Sequence, residues 1–137
     1  MGGSHLKTER YLFDTHALIF WSSKEFVSKA FTDFFDEQVR LGYVFVSSIF
    51  FWEAAFLSKK GKIELRNIHE WKAGLLENTN IRIIDPSASE MIDSTLLPNY
   101  HKDPFDRLLI VQANCNDATL VTKDEKIKTY SVRTLWI

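Results

Sequence analysis

The sequence predicts an α/β fold with a parallel sheet and helices on both of its faces. Three observations predict it. The segments that read as strands are only four or five residues long. Segments with helical character separate most of them, the pattern of strand–helix–strand units. The second of these strands is apolar throughout, as a strand covered on both sides must be.

Arg10–Phe13 reads as the first strand, with a switch towards helix at Asp14-Thr15 and a short helix over Ala17–Trp21. Apolar residues at positions 27, 30, 31, 34, 35 and 39 recur with the helical period and predict a helix over Val27–Arg40, stopped by Gly42. Tyr43–Val46 is the second strand. Ser47-Ser48 offers an N-cap to a helix over Ile49–Lys60, which ends in Lys59-Lys60-Gly61: cations in the last turn, then glycine. Ile68–Asn78 follows as an amphipathic helix, Ile81–Ile84 as a third strand and Ser87–Leu96 as a short helix. Leu97–Lys102 is a loop. Asp103-Pro104 opens the next helix with aspartate as N-cap and proline at the first helical position, and that helix runs to about Asn116. Thr119–Thr122 and Val132–Trp136 are the last two strands.

A chain of 137 residues suits one domain with a real core. Met1-Gly2-Gly3-Ser4-His5 has the look of a cloning remnant, which leaves residues 6–137 as the domain. The net charge of -1 carries no global basic signal for nucleic acid, though it leaves room for a nucleic-acid substrate held locally through metal. One cysteine, Cys115, allows no internal disulfide and fits a reducing compartment. No apolar run approaches the ~20 residues of a membrane span. No signal peptide is visible, so a cytoplasmic protein is expected.

Four acids stand in apolar settings. Asp14 follows the first strand, and Glu53 is the single charged residue of Val44–Leu57. Asp106 lies in the first turn of an apolar helix, and Asp124 follows the fourth strand. Carboxylates are rarely buried without compensation. Two of them about 4 Å apart repel by about 4 kcal/mol at an effective dielectric near 20. A cluster therefore takes up protons or binds a cation. Oxygen donors without cysteine or a nearby histidine suit Mg²⁺ or Mn²⁺ over zinc, and the chemistry that follows is metal-dependent phosphodiester hydrolysis. Each acid also has a plainer explanation. Asp14 caps the helix after the first strand. Glu53 pairs with a remote arginine. Asp106 complements a helix dipole at the third helical position, and Asp124 caps a turn over Asp124–Thr129.

The strings that carry these acids resemble a family. Leu12-Phe13-Asp14-Thr15-His16-Ala17-Leu18-Ile19-Phe20-Trp21 looks like the opening of a PIN domain. Ser47-Ser48-Ile49-Phe50-Phe51-Trp52-Glu53-Ala54-Ala55, with Gly61-Lys62-Ile63 downstream, is similar to the second motif of its VapC-like toxin branch. Leu97-Pro98-Asn99-Tyr100-His101-Lys102-Asp103-Pro104-Phe105-Asp106-Arg107-Leu108-Leu109-Ile110 is similar to the third, and Leu120-Val121-Thr122-Lys123-Asp124 to the fourth. The resemblance implies a three-layer α/β/α sandwich with a central parallel sheet of about five short strands. It implies an acidic pocket of Asp14, Glu53, Asp106 and Asp124 holding Mg²⁺ or Mn²⁺, with Thr122 and Thr15 in support. It also implies an endoribonuclease toxin of a type II toxin–antitoxin system, silenced by a small antitoxin and commonly a homodimer. The family often has lysine one turn after the second acid, where this chain has Leu57. Alternatives are an RNA-processing nuclease that is not a toxin, and a PIN-like binding module with weak or no activity.

Asp103 is a fifth acid close to the pocket, expected as an N-cap. His16 and His101 invite a general acid/base reading, but His16 is expected to pack or to orient a neighbour and His101 to fix its loop. For Arg107, beside Asp106, a structural salt bridge and a phosphate contact are both open, with the structural role expected. Lys123 either stays solvated or reaches an RNA phosphate as a point charge. Of Phe20, Trp21, Phe50, Phe51, Trp52 and Phe56, most are expected in the core. The helix that contains Trp52 is apolar almost all round, which places it deep in the core or at an interface.

Overall fold

The structure, a computed structural model, describes residues 9–137; the Met1–His5 remnant lies outside the described residues. The elements run β1 (Tyr11–Phe13), α1 (Thr15–Ser23), α2 (Lys29–Arg40), β2 (Val44–Ser47), α3 (Ile49–Lys59), α4 (Ile68–Asn78), β3 (Arg82–Ile84), α5 (Ala88–Thr95), α6 (Pro104–Cys115), β4 (Thr119–Val121) and β5 (Thr134–Leu135). A 3-10 turn over Ile127–Thr129 joins the last two strands. The five strands form one sheet in the order β3-β2-β1-β4-β5, with every neighbouring pair parallel.

β1 lies in the middle because its residues are apolar on both faces. Tyr11 and Phe13 point to one face and Leu12 to the other, as strand alternation requires, and all three are buried. On the first face Phe13 meets Phe35 of α2 at 5.1 Å between ring centres, with the rings nearly perpendicular. α2 is held there by Phe31, Phe35 and Val39 on one stripe, and Ser28 caps its start by accepting from the Phe31 N–H. α1, α3 and α4 add Leu18, Phe50 and Leu75 to the same core. On the second face, Leu109, Ile110 and Ala113 of α6 pack on Leu12 and Leu120. The result is helix, sheet, helix: the three-layer sandwich with a central parallel sheet.

Two local expectations are corrected. The first helix begins at Thr15, not Ala17, because Asp14 caps it by accepting from the Ala17 N–H at 2.7 Å. Ser48 makes no side-chain cap of α3; the Ser47 hydroxyl accepts from the Ile49 N–H instead, while the Ser48 N–H donates to Ile84 at the end of β3. The aromatic cluster also divides. Trp21 and Phe50 are buried, whereas Trp52 is 62 % and Phe56 44 % exposed. Among the described residues no helix is long and apolar enough to cross a membrane.

Candidate functional site

The chain leaves β1 towards β2 on one side and leaves β4 towards β5 on the other. Side chains that follow two such strands meet in a crevice at the carboxyl edge of the sheet, where ligands bind in open parallel folds. Asp14 follows Phe13, the last residue of β1, and its N–H donates to Val121, the last residue of β4. Asp124 stands in the turn after β4. Glu53 is in the second turn of α3, which begins two residues after β2. Asp106 arrives from further away, on the first turn of α6, and lies at the same edge. A cavity of about 350 Å³ gathers Asp14, Glu53, Asp106 and Asp124, with Thr15, Asp103 and Lys123 in its wall and two histidines, His16 and His101.

The plain structural roles hold alongside the clustering. Asp14 spends Oδ1 on the α1 cap. Asp103 caps α6 by accepting from the Phe105 N–H at 2.9 Å, with Pro104 next in line, a bond of about 1 kcal/mol for a typical cap. Asp124 accepts from the Lys126 N–H at 2.8 Å and so fixes its own turn. Each cap uses one carboxylate oxygen and immobilises the other. Among the described residues Glu53 forms no ion pair with a lysine or arginine; its hydrogen-bond partner is the Thr15 hydroxyl, which donates to Oε1. Thr122, fully buried, links two strand ends: its hydroxyl donates to Asp14 and accepts from the Asp124 N–H at 3.1 Å.

Among the described residues, no lysine or arginine forms an ion pair with any of the four acids; His101 Nε2 lies 2.7 Å from Asp106 and 3.4 Å from Asp124. The electrostatic consequence is strong. Burial pushes the Asp106 carboxyl up to about 8, and Asp103, Asp14, Glu53 and Asp124 add to the push through repulsion. His101 Nε2 lies 2.7 Å from Oδ2 of Asp106. Asp14 is raised by burial, against the opposing bonds from Thr122 and the Ala17 N–H. Glu53 is raised by burial, eased by Thr15 and worsened by Asp103 and Asp14. A cation in this cavity would relieve every one of these terms. The donor set, mostly carboxylate oxygen, fits a hard divalent ion, and ligand atoms of His101, Asp103 and Asp106 lie within 4.8 Å of one another.

The sequence did not place a histidine here. His101 was weighed as a general acid or base but expected to fix its loop, and no periodic signal precedes Asp103-Pro104 that would aim its ring inward. Lys123 is exposed, and its ammonium lies 4.9 Å from the Phe20 ring centre and 5.6 Å from that of Trp136. Arg107 makes no ion pair either. Its guanidinium donates to the carbonyls of Ser94, Leu97, Pro98 and His101 at 2.9 to 3.1 Å.

The sequence pattern of the PIN domain matches residues 11–132. No curated protein matches the chain in sequence. Solved structures share the fold at low identity. The VapBC2 complex of Rickettsia felis, bound to a DNA fragment from its promoter, aligns with a TM-score of 0.67 at 19 % identity over 93 % of this chain and 98 % of its own. The DNA-bound VapBC of Salmonella typhimurium aligns with a TM-score of 0.67 at 14 % identity over 93 % and 97 %. A toxin–antitoxin complex of Klebsiella pneumoniae aligns with a TM-score of 0.63 at 18 % identity over 91 % and 95 %.

Proposed function

The chain belongs to the PIN domain family, and from that premise we propose that it is a metal-dependent endoribonuclease, the toxin of a toxin–antitoxin pair. One observation carries the proposal: four buried or half-buried carboxylates share a cavity, and no lysine or arginine among the described residues pairs with them. Asp14, Glu53, Asp106 and Asp124 would hold Mg²⁺ or Mn²⁺. Such an ion, when bound, supplies an activated water and neutralises charge on the scissile phosphodiester.

The work of the chain is to position and to exclude. Thr122 and the Ala17 N–H fix Asp14. Thr15 turns Glu53 into the cavity from the start of α1. Lys123 rests on Phe20 and Trp136 at the rim, from where it reaches an RNA phosphate as a point charge. Arg107 is committed to backbone carbonyls and takes no substrate. Asp106 would hold the ion in its ionised form, since an acid coordinates without its proton.

The proposed partners are RNA, a small antitoxin and a second copy of the chain, in the cytoplasm. Two facts support a protein partner. Trp52 and Phe56 on α3, and Met91 and Ile92 on α5, are exposed large apolar side chains. The similar folds from Rickettsia felis, Salmonella typhimurium and Klebsiella pneumoniae are VapBC or toxin–antitoxin complexes. A binding module without activity is disfavoured, because such a module has no need to confine four acids that no lysine or arginine among the described residues pairs with. A nuclease of RNA processing that is no toxin shares the same site and is separated by its partner.

The test is cleavage of single-stranded RNA by the purified chain. Cleavage is expected with Mg²⁺ or Mn²⁺, is expected to stop with EDTA, and to return when metal is restored. Asp14→Asn keeps the oxygen that caps α1 and removes the charge, so it serves as the control for contaminating nuclease. Cleavage indifferent to EDTA would sink the proposal.

A further inference from the structure

We infer that His101 is a positioning residue of the acid cavity, whose Nε2–H holds Oδ2 of Asp106 beside Asp124 and so decides which carboxylate oxygen of Asp106 faces a bound metal ion. The inference rests on the metal-dependent function proposed above.

The residue is clamped by its own backbone. Its N–H donates to the Tyr130 hydroxyl at 2.9 Å, and its carbonyl accepts from Arg107 at 3.0 Å. Those two bonds aim the ring inward, where it is only 11 % exposed. Nε2 then lies 2.7 Å from Oδ2 of Asp106 and 3.4 Å from Oδ2 of Asp124. It stands between two acids that arrive on different elements, α6 and the turn after β4.

The other ring nitrogen identifies the role. Nδ1 faces the Asp103 N–H at 3.5 Å, so it accepts there, and the hydrogen sits on Nε2. A histidine that ligates through Nε2 must carry a bare Nε2 and commonly donates from its other nitrogen to a carboxylate or carbonyl. Here the group opposite Nδ1 is a donor. Oδ2 of Asp106 is taken by His101 and Oδ1 of Asp124 by the Lys126 N–H, so among the described residues Oδ1 of Asp106 and Oδ2 of Asp124 are the oxygens of these two acids left to face a cation. The imidazole thus lies behind the carboxylates and not among the ligands. Partners in that position typically set metal affinity by about 10–100-fold.

The experiment follows Mn²⁺ binding by electron paramagnetic resonance in the wild-type chain, His101→Ala and His101→Gln, with thermal unfolding of each. Glutamine returns an N–H donor near the place of Nε2. The backbone clamps by Tyr130 and Arg107 survive both substitutions. Expected are saturable Mn²⁺ binding by the wild type without the spin-echo nitrogen modulation of a directly bound imidazole, affinity about 10–100-fold weaker in His101→Ala, and substantial recovery in His101→Gln at similar unfolding temperatures. Nitrogen modulation would make His101 a ligand and overturn the inference, as would unchanged affinity in His101→Ala or no recovery with glutamine. A wild type that binds no Mn²⁺ would overturn the metal-dependent function itself, and this inference with it.

Discussion

Asp106→Asn is expected to remove RNA cleavage while making the metal-free protein more stable at alkaline pH. Both effects come from one carboxyl. In the folded chain Asp106 ionises only near 8, against 3.8 ordinarily, because it is buried and faces four other acids. Between those values the unfolded chain has lost the proton and the folded chain keeps it, so stability falls as pH rises. The contribution is fully present below about pH 4 and is gone once pH has risen through about 8. Asparagine imitates the neutral acid, retains an oxygen for the His101 Nε2–H, and carries no charge to repel Asp103 or Glu53. At pH 8 the variant should unfold with a free energy higher by on the order of 2 kcal/mol. Metal, however, needs the ionised carboxylate. Losing several kcal/mol of transition-state stabilisation slows cleavage by roughly 10²–10³-fold. Urea denaturation at pH 5 and pH 8, beside an RNA cleavage assay, checks both. A variant less stable than the wild type at pH 8 would contradict the electrostatic account of the cavity.

Arg107→Ala is expected to be the most damaging substitution outside the cavity, lowering stability by about 3–4 kcal/mol. Arg107 is only 7 % exposed and has no carboxylate partner. Its five N–H groups instead serve Ser94 and Thr95 at the end of α5, Leu97 and Pro98 beyond it, His101, and the Tyr130 hydroxyl. The last carbonyls of a helix lack partners within it, and a cation there also opposes the helix dipole. One side chain therefore closes α5, shapes the 97–103 loop and holds the backbone of His101. Lysine offers a point charge with three donors in place of a planar fork, so Arg107→Lys should recover less than half of the loss. The shift in the urea midpoint measures it, and a loss below about 1 kcal/mol would show that the carbonyls find other partners.

The sheet was legible because each strand had to be apolar on both faces, and β1 and β4 carry that pattern directly into Asp14 and Asp124. Asp103-Pro104 was legible as a helix start because aspartate and proline each fit one position there for a local reason. The capping of α1 by Asp14 followed from the same local chemistry, although the helix began earlier than its first apolar residue suggested. Legibility failed where long-range folding decides. α3 is apolar almost all round, so periodicity gave no means of telling buried Phe50 from exposed Trp52. Nothing in the sequence announced that the loop before α6 would be pinned by Tyr130, 29 residues on, with the His101 ring turned inward. Glu53 had no local excuse as a structural acid, and among the described residues it still pairs with no lysine or arginine; its partner is a hydroxyl from the neighbouring helix.

The acid cavity is expected to take a divalent cation. Calorimetric titration of the metal-free chain with Mn²⁺ at pH 7, repeated in buffers of different ionisation enthalpy, tests it directly. Asp106, which titrates near 8, is largely protonated at pH 7 and must ionise to hold the ion. Saturable binding is therefore expected to release about one proton per ion at pH 7 and close to none at pH 10. No saturable binding, or binding that releases no proton at pH 7, would contradict it.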